Sequence, residues 1–352
     1  MEKLRLIQCG VGGFGQGWLT EITSKSPAFE VVAIVDISKE NLVKAGTEVG
    51  IPAERQFLTL EAALEAMTAD AVLSVTPPPV HVQHARLAFG RGLHFMTEKP
   101  FADTIEHAHE MLQLARKSKR QLLVSQNYRY RPAISRAKQL LAEKAVGTLV
   151  HGHIDFYIPA DFTGTYREKM EFPLLVDMAI HHLDLIRYVT GRNIVKVTTL
   201  SFNPEWSWYA HDAGLKMLLE LEDGTVFSYS GDWSGKGRPT SWTGGWRLQC
   251  ADGSIHLEND EIEVARCERW AINPTAAKIE LPPLQYSERA ATLHIFSESI
   301  RSGQPGELDG SDNIWSFGAV MAGLESARTG QPIDVRKTIG AGIDAVTPLA
   351  AK

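Results

Sequence analysis

Asp177, His181 and Asp184 stand at i, i+4 and i+7 in the stretch FPLLVDMAIHHLDLIRYVTG, residues 172–191. On a helix this spacing puts all three on one face, while Leu174, Val176, Met178, Leu185, Ile186 and Val189 supply apolar surface for a core. A carboxylate one turn from an imidazole holds its tautomer and stabilises its protonated form, as a general base working near pH 7 requires. The same pair can equally form a purely structural hydrogen-bonded unit. His182 points roughly 100° away and reads as packing or as a support behind the site. Asp184 has a second reading, as a partner for backbone groups.

Lys99 is the other group suited to chemistry. It follows an apolar strand, Leu93 to Thr97, and precedes Pro100, so its backbone is rigidly held. An ammonium at such a point can hydrogen-bond a substrate hydroxyl and stabilise the alkoxide that forms as a hydride leaves. Its competing reading is a surface lysine paired with Glu98.

Hydride transfer needs a cofactor, and the chain opens with a motif for one. The apolar run Leu4 to Cys9 leads into Gly10-x-Gly12-x-x-Gly15 and then a helical segment from Phe14 to about Lys25. In a strand–turn–helix the first glycine permits the tight turn, the second a close approach to a diphosphate, and the third tight helix–strand packing. A second strand, Val31 to Val35, ends at Asp36, about 20 residues on, where a carboxylate can take both ribose hydroxyls of an adenosine. That carboxylate repels a 2′-phosphate, so NAD is favoured over NADP, with Lys39 nearby as the one opposing charge.

Two further groupings compete for a role. His151-x-His153-x-Asp155 alternates on one strand face and, with His181 or His182, has the residue types for zinc; no cysteine supports a metal, and plain polar positions are the reading preferred here. The segment 231–246 carries Trp233, Trp242 and Trp246 among glycines and cations, which suits a sugar ring or a subunit contact equally.

The elements that must position these residues change character midway. Strands at 4–9, 31–35, 71–75, 93–97 and 121–125 alternate with helices at 39–49, 60–67, 80–90 and 105–119, the last capped by Thr104. Thr76-Pro77-Pro78-Pro79 reads as an extended loop. Alternation of this kind means right-handed crossovers and a parallel sheet, with ligands beyond the carboxyl ends of the strands. Asp36, Thr76, Lys99 and Asn127 each follow a strand. After a helix at 133–144, strands at 149–158, 194–202, 215–221, 225–233, 246–250, 254–257 and 261–265 predict a mostly antiparallel sheet, with hairpin signals at Asp223-Gly224 and Asp252-Gly253. Helices at 288–302 and 312–329 follow, the latter capped by Ser311 and stopped by Gly330. The fold class expected is α/β: a Rossmann dinucleotide-binding domain over 1–126, then an α+β domain with a large, mostly antiparallel open sheet over 127–352, the substrate-binding and oligomerisation domain.

Composition narrows the function classes. The 352 residues are 44% hydrophobic and 22% charged, with a net charge of −6. This is globular composition with no bulk attraction to nucleic acid or anionic membrane, and no apolar run is long enough to span a bilayer. Cys9, Cys250 and Cys267 read as reduced thiols, and Met1-Glu2-Lys3 runs into the first strand without an apolar leader. A cytoplasmic protein without nucleic-acid or membrane partners is expected.

The ordered set Gly10-Val-Gly12-Gly-Phe-Gly15, Thr76-Pro77 with His81 and Ala85, Glu98-Lys99-Pro100, and Asp177-x-x-x-His181-x-x-Asp184 resembles the family of glucose–fructose oxidoreductase and inositol dehydrogenase (Gfo/Idh/MocA). The Ser326-Ala327 to Gly330 helix ending is also similar. The resemblance spans nearly the whole chain and implies NAD(P)-dependent oxidation or reduction of a sugar, inositol or related polyol by a homodimer or homotetramer. It implies Lys99, Asp177 and His181 as the catalytic set; no metal is expected from the residues themselves. Gly10, Gly12, Gly13, Phe14, Gly15, Asp36, Ser74, Thr76, Pro77, His81, Glu98, Lys99 and Asn127 would lie along the cofactor. Tyr128, Arg129, Tyr157 and Trp233 would join the catalytic set around the substrate. Ala179 departs from the glycine that many members carry there, which bears on substrate identity. The same family also contains NAD-using glycosidases and catalytically silent sugar sensors.

Overall fold

The structure, a computed structural model, describes residues 2–269 and 272–340. Strands β1 (Leu4–Cys9), β2 (Phe29–Val35), β3 (Gln56–Phe57), β4 (Ala71–Ser74), β5 (His94–Glu98) and β6 (Leu122–Ser125) form one parallel sheet in the order β3-β2-β1-β4-β5-β6. The strands are near-continuous apolar runs because helices cover both faces. Those helices are α1 (Phe14–Gly17), α2 (Lys39–Val49), α3 (Leu60–Ala66), α4 (Pro78–Gly90) and α5 (Ile105–Ser118). Strand order reverses between β1 and β4, so the chain leaves those two strands in opposite directions and opens a crevice at their carboxyl ends.

Local chemistry sets the details. Thr104 caps α5 by accepting the His107 N–H at 3.1 Å, as expected. The helix anticipated over 14–25 is α-helical only to Gly17, and Trp18–Thr23 winds as a wider π-helix. There the Thr23 hydroxyl donates to Gln8 Oε1 at 2.7 Å and the Trp18 indole donates to Glu98 Oε1 at 2.8 Å. The proline run is not wholly extended: Pro78 and Pro79 begin α4, where a missing N–H costs nothing.

The chain later returns to this sheet. After α6 (Pro132–Ala142) and α7 (Ile180–Thr190), helix α8 (Glu288–Ser302) stacks Phe296 on Phe29 at 5.8 Å, Val124 N donates to Leu308 O at 3.0 Å, and Arg289 pairs with Glu21. The first compact unit is therefore the chain up to Asn127 together with Tyr286–Ile314. The second is Tyr128–Gln285 and the chain from Trp315. A single cut after residue 126 does not describe this, because the apolar face of α8 is buried in the first unit. The expected second domain also ran to 352, and 270–271 and 341–352 lie outside the described residues.

The second unit holds a sheet built from β7 (Leu149–Tyr157), β8 (Ile194–Phe202), β9 (Gly214–Leu221), β10 (Val226–Asp232), β11 (Gly245–Cys250), β12 (Gly253–Glu258), β13 (Glu261–Arg266), β14 (Thr275–Ile279) and β15 (Ile333–Asp334). Its order is β14-β13-β12-β11-β7-β10-β9-β8-β15, antiparallel except where β7 pairs with β10. Gly224 at φ 86° makes the β9–β10 turn as the Asp-Gly signal predicted. Alternation gives the sheet two faces. Ile154, Phe156, Met217, Leu219, Phe227, Tyr229 and Leu248 are buried on one, under the helical segment Leu174–Thr190. His153, Asp155, Tyr157, Leu200, Lys216, Leu218 and Ser228 stand on the other. Among the described residues no helix is long and apolar enough to cross a membrane.

Candidate active site

The glycine turn of the first unit is built without room for side chains. A Cβ on Gly10, whose φ is +84°, would sit 2.1 Å from Val75 O, and one on Gly15 would sit 2.2 Å from Gly10 O. Gly12 lies under the Asn41 amide, while nothing stands within 4 Å of a Cβ on Gly13, and the Phe14 ring is exposed. Gln8 fixes the turn from beneath, donating to Gly15 O at 2.8 Å and Gly10 O at 3.2 Å. Its role went unread in the sequence, although a glutamine inside an apolar strand is the signal for it. Asp36 accepts from Val11 N at 2.9 Å, Ser38 N at 2.9 Å and Asn41 Nδ2 at 3.2 Å, so its carboxylate is held at the edge of the turn. An open backbone cradle with a fixed carboxylate at the next strand end fits a dinucleotide: the cradle for the diphosphate, Asp36 for the adenosine ribose.

The other strand ends divide into exposed and buried groups. Thr76 and Pro77 leave β4 at least partly exposed. Ser74 and His81, expected along the cofactor, are fully buried and bonded to protein. The Ser74 hydroxyl bonds Thr76 Oγ1 at 2.8 Å and His84 Nδ1 at 2.9 Å. The His81 ring lies between two backbone carbonyls, Nε2 at 2.9 Å from Thr76 O and Nδ1 at 3.2 Å from Phe101 O. These two residues hold the loops rather than face a ligand. Burial lowers the pKa of His81, while the two carbonyls facing its nitrogens act in the opposite direction. Glu98 is buried too, its carboxylate accepting from the Trp18 indole and, at 3.1 Å, from Lys99 N; burial pushes its pKa up. Lys99 thus leaves β5 half-buried between anchored Glu98 and buried Phe101, with its backbone fixed. Asn127 closes β6 and is mostly buried.

In the second unit the expected continuous α-helix is two pieces. Leu174–Ala179 is π-helical and α7 (Ile180–Thr190) follows. Such π segments recur at functional sites. Asp177 sits in the π segment, and its Oδ2 accepts from Arg167 Nε at 2.6 Å. One turn on, the His181 imidazole lies flat on the Tyr128 ring, centroids 4.2 Å apart and planes 12° from parallel. The Arg131 guanidinium is 3.6 Å from the centroid of the Tyr128 ring, and Arg131 Nη1 donates to Thr243 Oγ1 at 2.8 Å.

Other expected members stand elsewhere. Asp184 is 1% exposed and accepts two bonds of 2.6 Å from Arg129, plus one from Ser316 Oγ at 2.6 Å. Arg129 is therefore a buried structural partner of Asp184, not a substrate ligand. Tyr157 lies on the sheet face opposite the Asp177–His181 helix, its hydroxyl 2.5 Å from Ser230 Oγ. Trp233 is 1% exposed and packs edge-on against Phe162 at 5.2 Å, which removes it from a substrate surface. Trp246 is buried as well, and Trp242 alone of the three is exposed. His182 is packing, as expected: Trp242 O faces Nε2 at 3.1 Å and the Tyr229 hydroxyl faces Nδ1 at 3.0 Å. A carbonyl only accepts, so Nε2 carries the proton and Nδ1 accepts from Tyr229. His153 bonds Ser228 and Asp155 across the sheet from His182, and no group of three His, Cys, Asp or Glu among the described residues could hold a metal.

Known proteins resemble this chain over most of its length. The model of the oxidoreductase family with an NAD-binding Rossmann fold matches residues 4–126, and that of the GFO/IDH/MocA C-terminal domain matches residues 134–256. The D-apiose dehydrogenase of Paraburkholderia graminis is 28% identical over 336 residues, 90% of this chain and 86% of that protein. The inositol 2-dehydrogenase of an Arthrobacter species is 27% identical over 343 residues, 95% of this chain and 97% of that protein. An oxidoreductase from Agrobacterium radiobacter, solved with NAD+, L-tartaric acid and magnesium, superposes with a TM-score of 0.84 at 22% identity, covering 95% of this chain and 99% of that one. The two family matches together cover well over half of the sequence, and the chain belongs to the Gfo/Idh/MocA family of NAD-binding oxidoreductases.

Proposed function

We propose that the chain is an NAD-dependent dehydrogenase acting on a secondary hydroxyl of a sugar, inositol or similar polyol. His181 takes the hydroxyl proton, and Asp177 orients the imidazole and offsets its positive charge. The Lys99 ammonium stabilises the negative charge that develops on the substrate oxygen. When bound, NAD supplies the hydride acceptor. The observation that carries this reading is the His181 imidazole: stacked on Tyr128, with an ion-paired carboxylate one turn away, in a chain whose first unit binds NAD. The names of the two dehydrogenase relatives support a sugar or polyol as substrate.

A panel of sugars and polyols assayed with NAD+ tests the proposal, and formation of NADH, followed by its absorbance, is the expected result. Sugar release without net NADH would instead mark a glycosidase, and binding without turnover a sensor. We further propose a cytoplasmic homodimer or homotetramer, with the outer sheet face as the contact; exposed Leu200 and Leu218 there support it. Light scattering on the wild type and on Leu218→Asp checks the assembly, which the charge should weaken.

A further inference from the structure

We infer that Arg167 is a positioning residue for the proposed base: it pins Asp177 by one carboxylate oxygen and draws part of that charge away from His181. The inference rests on the reading of His181 as proton acceptor. Its basis is the contact from Arg167 Nε to Asp177 Oδ2, 2.6 Å long, between side chains 27% and 14% exposed. A charge-assisted bond so short and so poorly solvated fixes the carboxylate. The guanidinium is itself held: it lies 5.0 Å from the centroid of Phe162 and 4.8 Å from that of Tyr166. Its backbone is a short 3-10 helix, Tyr166–Lys169, capped by Thr165 and tied by Ala210 N to Glu168 O at 2.9 Å.

The electrostatic consequence has a definite sign. A lone carboxylate beside an imidazole favours the imidazolium, and a cation on that carboxylate opposes this. Tyr166 and Tyr209 also feel the Asp177 charge, and burial raises the pKa of both, which keeps them neutral. Tyr128 lies on His181, with Arg131 against its ring. Arg167 is a cation bonded directly to that carboxylate, and removing it should raise the pH at which His181 loses its proton.

The test follows the His181 ring by NMR in the full chain labelled at histidine, the resonance being assigned by its loss in His181→Asn. Arg167→Met should raise the titration midpoint by about one pH unit. Arg167→Gln, which keeps a donor without the charge, should do the same, and Arg167→Lys should shift it less. An unchanged midpoint in Arg167→Gln, with the melting temperature of the wild type, overturns the inference; this variant decides the matter should Arg167→Met not fold. Failure of the underlying reading is distinct: His181→Asn would then retain NADH formation, whatever Arg167 does.

Discussion

The Tyr128 ring lies between the His181 imidazole, 4.2 Å away by centroid, and the Arg131 guanidinium at 3.6 Å. A flat ring with a cation against it restrains the imidazole plane without taking a ring nitrogen. Tyr128→Phe preserves the stack and should keep turnover within about threefold of wild type, whereas Tyr128→Ala should lower it roughly tenfold, the order of one aromatic pair. Equal losses in both variants would mean that the phenol hydroxyl, not the ring, is what matters.

Lys99 should divide turnover from cofactor affinity. Its backbone is set by Glu98 and buried Phe101, so Lys99→Ala deletes the ammonium and leaves the β5 end in place. Turnover should fall by about a thousandfold, within the range for losing one oxyanion-stabilising donor. Titration calorimetry with NAD+ should show an affinity changed by less than about threefold, because the cradle and Asp36 are untouched. Near-normal turnover would remove Lys99 from the catalytic set.

Gly15 tests the cradle from the stability side. A methyl group there would meet the Gly10 carbonyl at 2.2 Å, backbone against backbone, with no flexible side chain to give way. Gly15→Ala should lose at least about 2 kcal/mol of stability, as overpacking against fixed atoms does, and should weaken NAD+ binding measurably. Gly13→Ala meets no atom within 4 Å but sits at φ 48° and ψ −118°, outside the left-handed region and open essentially to glycine alone, so backbone strain of about 1–3 kcal/mol sets its cost instead of overpacking. Thermal melts of the two variants give the ranking.

Much of this was legible in the residues, for reasons that also explain what was not. β1, α2 and β8 fall where the apolar period and capping residues put them: Leu4–Cys9, Lys39–Val49 and Ile194–Phe202. β14 was not legible because Thr275–Ile279 is solvent-facing and shows no alternation, and β3 and β15 are two-residue edge strands. The helix expected over 312–329 with Ser311 as its cap starts two residues earlier, at Gly310, and Asp309 Oδ1 accepts Ser311 N at 2.8 Å instead. In the candidate site, residue type and spacing are what single out Asp177, His181 and Lys99 for the proposed chemistry. They misassigned Ser74, His81, Arg129, Tyr157 and Trp233, because polarity or aromaticity near a strand end says nothing of which way a side chain turns. Asp184 and Arg129 illustrate the point: 55 positions apart in sequence, each completes the other's hydrogen bonding, and only tertiary contact reveals it. Arg167 carried no spacing signal at all, since its partner is reached through a loop.

Acid stability follows from the histidines that the fold buries as neutral groups. Burial lowers His182 from its usual 6.5 to about 4, and His84 likewise. In the unfolded chain both would take up a proton below about pH 6.5. In the folded chain they resist until near pH 4, so the unfolded state binds more protons between these limits and stability falls as pH drops. Each such histidine costs about 1.4 kcal/mol per pH unit within that window and nothing above it. His182→Phe removes one of the two. At pH 7.5 it should be less stable than wild type, having lost the bonds to Tyr229 and Trp242 and left the Tyr229 hydroxyl buried. At pH 4.5 the gap should narrow by about 2 kcal/mol or reverse, because the variant no longer carries that proton-uptake penalty. Urea unfolding of both proteins at the two pH values measures the gap, and a gap of the same size at each would show that His182 is protonated in the fold or that its burial does not resist protonation.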